Sequence, residues 1–584
     1  MSFFDRLRSL GGLHRRRGRR VLVGAAFSML LGLALLLTLD RSRDLAGSDA
    51  ERDRGERPAS AQAWKQERAR LDETQWAGER LAQQYEATLV ALWDALLAAG
   101  RRGDEQAKRL ALAGVAFEAL RVGTPYPVEA LELGIERQAF GAPQRTLAPH
   151  DWAELLEALE REGFRLAQSE WHHAKFAPPT PAGPARSEVS LVLHVVDPAH
   201  ERRIAIDGEL AVEWSESRDA RGNPIPAKID ATGLRIWTRS GPVSFERILS
   251  FDWPVRGGLS RLHPVLIYDL DGDGLQEIIL LGAAQTLWNQ GQGRFRHAPL
   301  LEQPDAFAEA GVIADLDGDG HPDLLAARAR GDLALYRGDG TGRFAGEPLV
   351  TPRFEEPLRG PSALSVGDVD ADGDLDVWLA QYQPAYRDGQ MPTPFYDAND
   401  GHPSHLLLND GSGSLQEATE PAGLAAKRFR RTYASSFVDL DEDGDLDLLV
   451  VSDYSGIDLH HNDGRGHFSD ANDTLRADRH LFGMSSAFAD FDLDGRLDFF
   501  VAGMASTTAR RLEALGLGRS DRPDAQQMRM RMAFGNRMYL ASDGGWREPE
   551  FREEVARTGW TWGTTAFDVD NDGDPDLFAA NGHA

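Results

Sequence analysis

The sequence contains no cysteine, which excludes disulfides, thiolate metal sites and cysteine nucleophiles together. It is short of positive charge. Its 64 Lys and Arg stand against 92 Asp and Glu, for a formal net charge of -28. That balance argues against nucleic acid or anionic phospholipid as a partner of the main body and makes divalent cations the natural counter-charge. No G-x-S-x-G, H-E-x-x-H, Walker loop or dinucleotide fingerprint occurs, so the common hydrolase, zincin and nucleotide-binding signatures are missing. One long apolar run stands out, Val21 to Leu39, nineteen positions without a charge, which is the length needed to cross a bilayer. The basic segment LRSLGGLHRRRGRR precedes it, so the positive-inside bias keeps the N-terminus cytoplasmic and exports everything after residue 40. TLDRSRD, which follows, lacks a small-x-small cleavage pattern, and the run reads as an uncleaved signal anchor.

At 584 residues the chain exceeds what one hydrophobic core supports. It divides into a cytoplasmic basic segment (1–20), the anchor (21–39), a polar flexible linker (40–62), a helical region (63–175), a small β-rich part of an α+β domain (186–233) and a repeat region (234–584). Apolar residues recur at three and four from Leu81 to Leu97, with Gly100 and Gly103 punctuating a helical hairpin. A second helix is expected over Trp152 to Trp171, opened by Pro149 and Asp151. SLVLHVVD and RIAIDGELAVEW read as strands. His172 and His173 have no partner spaced to complete a metal site and are expected to be surface or capping groups.

From residue 269 one pattern returns six times: DLDGDGLQE, DLDGDGHPD, DVDADGDLD, DLDEDGDLD, DFDLDGRLD and DVDNDGDPD. Their starts lie 46, 53, 71, 51 and 78 residues apart, the size of a four-stranded propeller blade with insertions in two intervals. Each loop has acids at positions 1, 3, 5 and 9, glycine at 6 and a free carbonyl at 7. Calcium takes six to eight oxygens, and a tight loop turns alternate side chains toward one centre while glycine permits the bend.

The expected ligands of the first loop are Asp269, Asp271, Asp273, the Leu275 carbonyl and Glu277. The same roles fall to Asp315, Asp317, Asp319, His321 and Asp323 in the second, and to Asp368, Asp370, Asp372, Asp374 and Asp376 in the third. The fourth offers Asp439, Asp441, Asp443, Asp445 and Asp447, the fifth Asp490, Asp492, Asp494, Arg496 and Asp498, and the sixth Asp568, Asp570, Asp572, Asp574 and Asp576. About six calcium ions are expected. An EF-hand also opens D-x-D-x-D-G but needs a glutamate at 12 and flanking helices; here strand-like runs flank every loop. Turn signatures such as LNDGSGSL and HNDGRGHF follow most loops and read as hairpins. The loops hold 28 of the 92 acids, a concentration that is repulsive without a cation. His460 and His461 are expected to be packing or solvated groups.

On these loops, and on GWTWGTTAFDVDNDGDPDLFAANGH and FGMSSAFADFDLDGRLDFFVAGM, the sequence resembles the FG-GAP/VCBS repeat propellers also found in integrin α-subunits, in particular the ASPIC/UnbV, cartilage-acidic-protein-like branch. The resemblance covers about residues 250–584. It implies a seven-bladed β-propeller with calcium in its loops, secreted or on a cell surface, without an established catalytic role. The sequence ends at Ala584, directly after the last loop's strand, where the resemblance leads one to expect the rest of a blade and a C-terminal domain. Leu234 to Leu249 is expected to supply the outer half of the seventh blade. Two insertions, 381–405 and 505–536, are expected to decorate one face of the ring, where aromatic and methionine-bearing loops suit adaptable contacts.

The functional expectation is a membrane-anchored, extracytoplasmic, calcium-binding propeller, periplasmic or on the cell surface. It would act as a binding, adhesion or scaffold module for a protein or glycan, with no nucleic-acid partner. The alternative is a hydrolase or lyase acting on an extracellular polymer. A part in an envelope assembly would follow from an exposed apolar stripe over 64–120.

Overall fold

In the computed structural model, residues 69–71, 73–242, 245–250, 262–303, 305–344, 346–385, 391–392, 394–518 and 522–582 are described. The apolar run at 21–39 lies outside them. Among the described residues no helix is long and apolar enough to cross a membrane. The chain is mainly β and separates into two units, one ending at Ser244 and taking in Thr507–Gly518, the other made of Phe245–Ser506 and Arg519–His583.

The first unit opens with α1 (Ala77–Arg101) and α2 (Glu105–Ala113). Tyr85, Leu92 and Leu96 place one face of α1 inward, as the three-and-four spacing requires. Gly103 turns the chain in the left-handed region, and Asp104 Oδ1 accepts from the Ala107 N–H to cap α2. Strands β1 (Ala119–Pro125), β2 (Glu129–Ala130) and β3 (Ile135–Leu147) follow. Helix α3 (Pro149–Arg161) comes next, its entry fixed by Asp151 Oδ2 accepting from the Ala148 N–H at 2.8 Å. Then come β4 (Arg165–Ala177), β5 (Arg186–Asp197), β6 (Arg202–Arg218) and β7 (Pro224–Ser240). All seven strands form one curled half-barrel sheet in the order β2-β3-β1-β7-β6-β5-β4. The curl has a local cause. Gly208 sits at φ +130°, where a Cβ would lie 2.3 Å from the Gly233 carbonyl oxygen, and a Cβ on Gly233 would lie 2.6 Å from that of Glu209, so adjacent strands bend where side chains are absent.

Three expectations are corrected here. The region 63–175 is not helical throughout, because β1 to β4 occupy much of 119–177. The helix expected to reach Trp171 stops at Arg161, since Gly163 takes φ +95° and Phe164 enters the core before β4. Leu234–Ser240 is no outer half of a blade but the end of β7, paired with β6 and β3.

The first unit is completed by α4 (Thr507–Ala514), from the insertion at 505–536. Arg511 is buried there, bonded to Glu79 at 2.7 and 3.0 Å and to the His173 carbonyl at 2.7 Å. His173 is neither at the surface nor a cap. It is buried in β4 against Ser187 Oγ at 2.8 Å, and burial lowers its pKa to about 4, so it stays neutral.

The second unit is built from six antiparallel sheets among the described residues, five of four strands and one of two. In order, their first two strands are Val265–Tyr268 with Glu277–Leu280, Phe307–Ala314 with Asp323–Arg328, and Pro361–Gly367 with Asp376–Gln381. The remaining three pairs are Arg431–Val438 with Asp447–Asp453, Gly483–Ala489 with Asp498–Gly503, and Thr561–Phe567 with Asp576–Asn581. First strands of consecutive sheets touch one another, and apolar clusters such as Leu325, Leu335, Leu379 and Leu407 fill the space between. Second strands are apolar at nearly every position because both faces are covered.

Both long insertions leave between the second and third strands of their sheets, at the end opposite the acidic loops. Among the described residues, Met528 and Met532 of α5 (Pro523–Met532) are buried, so these two are not offered for contact, whereas Met391 of the first insertion is exposed. Tyr396 Oη of the first insertion donates to Asp524 Oδ2 of the second at 2.7 Å. Arg430 and Arg431 anchor the first insertion, through the Ala398 carbonyl at 2.9 Å and the Asp400 carboxylate at 2.9 Å. Nearby, Asp453 is buried at the end of its strand, accepting from Tyr382 Oη at 3.2 Å. Burial pushes its carboxyl up to about 7.

Arg511→Met leaves Glu79 buried and unpaired and is expected to cost about 3–5 kcal/mol in urea unfolding followed by circular dichroism. Asp453 is protonated in the fold below pH 7, whereas an unfolded carboxyl ionises near 3.9. The stability this contributes is full below that lower value and lost as pH rises through about 7. Melting temperatures of the wild type are therefore expected to fall between about pH 4 and 7, and Asp453→Asn to show a shallower decline.

Candidate metal centres

Each D-x-D-x-D-G loop joins the first strand of a sheet to the second, and the position-9 acid is the first residue of that second strand. Glu277, Asp323, Asp376, Asp447 and Asp498 are essentially inaccessible; Asp576, in the two-stranded sheet, is half-buried. One carboxylate oxygen of each accepts the N–H of loop position 2, at 2.9 Å from Leu270, 3.1 Å from Leu316 and Val369, 3.0 Å from Leu440, 2.8 Å from Phe491 and 2.9 Å from Val569. In the five four-stranded sheets the other oxygen accepts from the end of the third strand or just past it, at Asn289, Gly338, Asn409, Asn462 and Ala541. These acids are thus structural staples as well as candidate ligands.

The position-1 carboxylates wrap the loop. Asp368 accepts from the N–H groups of Asp372 and Gly373 at 3.2 and 3.0 Å, and Asp269, Asp315, Asp439, Asp490 and Asp568 likewise accept the N–H of the position-6 glycine. The position-5 acids Asp273, Asp319, Asp372, Asp443, Asp494 and Asp572 each accept the N–H of position 7, which is Leu275, His321, Asp374, Asp445, Arg496 or Asp574. Glycine at 6 is left-handed in all six loops, as expected. So is position 4, including the non-glycine Ala371, Glu442, Leu493 and Asn571, a strained choice for such residues.

Convergence follows from this wrapping. Ligand atoms of Asp269, Asp271 and Asp273 lie within 4.8 Å of one another, as do those of Asp315, Asp317 and Asp323, of Asp368, Asp370 and Asp376, and of Asp439, Asp441 and Asp443. The position-3 acids, Asp271, Asp317, Asp370, Asp441, Asp492 and Asp570, lie between these wrapped groups. Asp317 Oδ1 and Asp370 Oδ1 are buried with no hydrogen-bond partner. An orphaned carboxylate oxygen among other carboxylates is what a hard cation satisfies, so these residues fit a divalent ion. Burial together with neighbouring acids raises the pKa of Asp370 and Asp441, and raises those of Asp376 and Asp447 to about 6.

The loops are unequal. Arg337 pairs with Asp317 at 3.0 Å. In the fifth loop Arg496 pairs with Asp494 at 2.7 Å and Arg547 with Asp492 at 3.3 Å, so arginines already neutralise part of that cluster. His461 Nδ1 lies 3.1 Å from Asp441 Oδ2, and its ring joins Asp441 and Asp447 as a third ligand-bearing group. It is therefore no mere packing or solvated residue, although His460 is buried. Sequence spacing could not show this, because His461 arrives from the third strand. The turn asparagines also link neighbouring loops. Asn462 Nδ2 donates to Leu446 O of its own sheet's loop at 3.2 Å and to Val369 O of the preceding sheet's loop at 2.7 Å. Asn409 does the same with Leu375 and Leu316.

A family profile for FG-GAP-like repeats matches residues 269–326, 315–379 and 439–501. Among curated proteins, the T-cell immunomodulatory proteins of mouse and rat are each 25% identical over 241 and 240 residues, and the human protein is 23% identical over 240. The match covers 34% of this chain and 38% of each relative. A crystal structure of a catalytically inactive virginiamycin B lyase from Staphylococcus aureus with quinupristin aligns over 66% of this chain and 88% of that one, at 10% identity and a TM-score of 0.27.

Asn462→Ala removes the amide that ties Leu446 O to Val369 O of the preceding sheet, although Val369 O keeps the Gly466 N–H, and is expected to cost about 0.5–1.5 kcal/mol, read as a lower urea midpoint with an unchanged slope.

Proposed function

We propose that the second unit is a calcium-stabilised, FG-GAP-type β-propeller that serves as an extracytoplasmic binding or scaffold module for a protein or glycan. Its six sheets, their touching first strands and the repeat profile support a radial arrangement. The orphaned Asp370 Oδ1 in a wrapped acidic loop is the observation that carries the metal reading. Asp368, Asp370, Asp372, the Asp374 carbonyl and Asp376 would hold the ion in the third loop, and the corresponding residues would do so elsewhere. A bound calcium supplies positive charge at the point where three or four carboxylates meet, offsetting their repulsion. The loops of the first four sheets are the best candidates. The fifth is the weakest, because of Arg496 and Arg547. Calcium is favoured over magnesium because each loop offers four carboxylates and a carbonyl, more protein oxygens than magnesium usually takes from one site.

Rigid loops at one end of the sheets would leave the first insertion, at the opposite end, for recognition. The relatives' name records an action on T cells. What is proposed for this chain is the class of module, not that action. Placement outside the cytoplasm, with the apolar run at 21–39 as the anchor, is part of the same proposal and suits sites of the weak affinity of extracellular modules, about 10⁻⁴ to 10⁻³ M.

Calorimetric melting of the full chain in chelator and in excess calcium tests the metal reading. At a hundredfold excess over Kd, each site is expected to add about 2.7 kcal/mol, with magnesium adding less and Asp370→Asn removing one site's share. Identical transitions with and without calcium would overturn it.

A further inference from the structure

The first unit holds a cavity of about 790 Å³ between the curled sheet and α1, α2 and α3. Well-packed interiors leave few voids larger than a water molecule, and this volume lies within the range of pockets that enclose small organic ligands, roughly 300–1,000 Å³. Its wall is almost wholly apolar: Leu92 of α1, Leu112 of α2, Leu155 of α3, and Val189, Leu193 and Ile206 of the sheet are representative. Such a wall offers water too few partners to hold it in order. The indole N–H of Trp171, also in the lining, is buried without an acceptor.

The polar lining groups are not scattered. The lining follows β7 from Pro226 to Ser240, so the space is long, and most of its charged groups gather at one end. There β7 ends beside Arg202 and Glu136 lies opposite Thr238, while Arg165 begins β4 at the same end of the sheet. Lys108 reaches the Leu166 carbonyl at 2.7 Å. Most of these charges are already matched: Lys108 with Glu105 at 2.8 Å, Arg109 with Glu160 at 2.5 Å and Arg202 with Asp197 at 2.5 Å. Arg165 is exposed and has no ion pair among the described residues; Glu136 is likewise unmatched. With Lys108, Arg109 and Arg202 each held by an acid, Arg165 is the lining cation left for a ligand. The Arg202 guanidinium lies over the Phe164 ring, next to Arg165 in the chain. Arg202 Nε and Nη2 are held by Asp197 Oδ2, so the Arg165 guanidinium is the free one beside the apolar mouth, and its paired N–H groups suit a carboxylate or phosphate bound at two points.

We infer that the first unit binds a single-chain anionic amphiphile, with its alkyl chain in the apolar cavity and its carboxylate or phosphate head at Arg165. This is independent of the calcium reading of the second unit. The full chain is titrated with 11-(dansylamino)undecanoate, and the probe is then displaced with oleate, oleoyl lysophosphatidate, neutral mono-oleoylglycerol or cationic oleylamine. One saturable site is expected, with at least one of the two anions displacing the probe about tenfold more strongly than the neutral or cationic compound. Which anion is stronger identifies the head as carboxylate or phosphate. Ala231→Phe, which fills the cavity, is expected to weaken probe binding at least tenfold without lowering the melting temperature. Arg165→Glu, an exposed change that leaves packing alone, is expected to weaken anion binding about tenfold and to spare mono-oleoylglycerol. Absence of saturable binding, equal displacement by all four compounds, or unchanged affinity in Arg165→Glu would each overturn the inference.

Discussion

The buried carboxylate that begins each second strand is the contact on which the second unit turns. In the five four-stranded sheets it lies out of water and accepts two backbone N–H groups, one from its own loop and one from the third strand or the turn just past it. A buried carboxylate is costly unless hydrogen-bonded, and these bonds exist only when the loop is wrapped and the first three strands are in register. The acid therefore acts as a test of correct folding: its desolvation is compensated only in the native arrangement. The wrapped loop then presents the remaining acids, most plainly the position-3 group, to a single point. The candidate metal centre is a consequence of how the sheet closes on itself.

The sheets are joined by two kinds of contact with different reach. Apolar clusters between neighbouring sheets supply most of the gain, but they are non-directional. Asn409 and Asn462 supply the direction. Each spans from its own loop to that of the sheet before it, so a shift between sheets breaks hydrogen bonds as well as contacts. At the opposite end, the ion network of Arg430, Asp397 and Asp458 does comparable work around the first insertion. Asp458 is buried, and its pKa is nonetheless held well below the ordinary range because the charges of Arg430 and Lys427 outweigh the effect of burial.

How far this was legible in the amino-acid order depended on the range of the interaction. The acidic loops are local, so their spacing, their flanking strands and the left-handed glycine at position 6 could be read directly. The left-handed position 4 could not, because Ala371 and Leu493 carry no conformational signature. His461 and the asparagines act through strands distant in sequence, and no spacing rule reaches them. The first unit was harder. Its helices α1 and α2 follow their periodicity, but β4 (RLAQSEWHHAKFA) mixes polar and apolar residues because its two faces meet different surroundings, and it was assigned to the preceding helix. The curl of the sheet rests on backbone contacts at Gly208 and Gly233, which pattern alone does not announce.

The two units use burial in opposite ways. In the second, charge is brought inward and compensated, oxygen by oxygen, by backbone donors and, on the reading proposed above, by a cation. In the first, strands bent at glycines and covered by helices leave apolar surface facing apolar surface across a space that side chains do not fill, although Leu, Phe and Trp line it. Core packing favours closing such a void, since each missing contact forfeits dispersion energy. The arrangement that keeps it open is specific: Trp152 Nε1 bonds the Leu112 carbonyl at 3.0 Å, Lys108 bonds the Leu166 carbonyl, and Arg511 fixes α1 to β4 through Glu79 and the His173 carbonyl. Helices tied to one another and to the sheet by polar contacts at their margins cannot settle inward without breaking them. A cavity held open at its rim in this way differs from a packing defect, and that difference supports a ligand in the first unit.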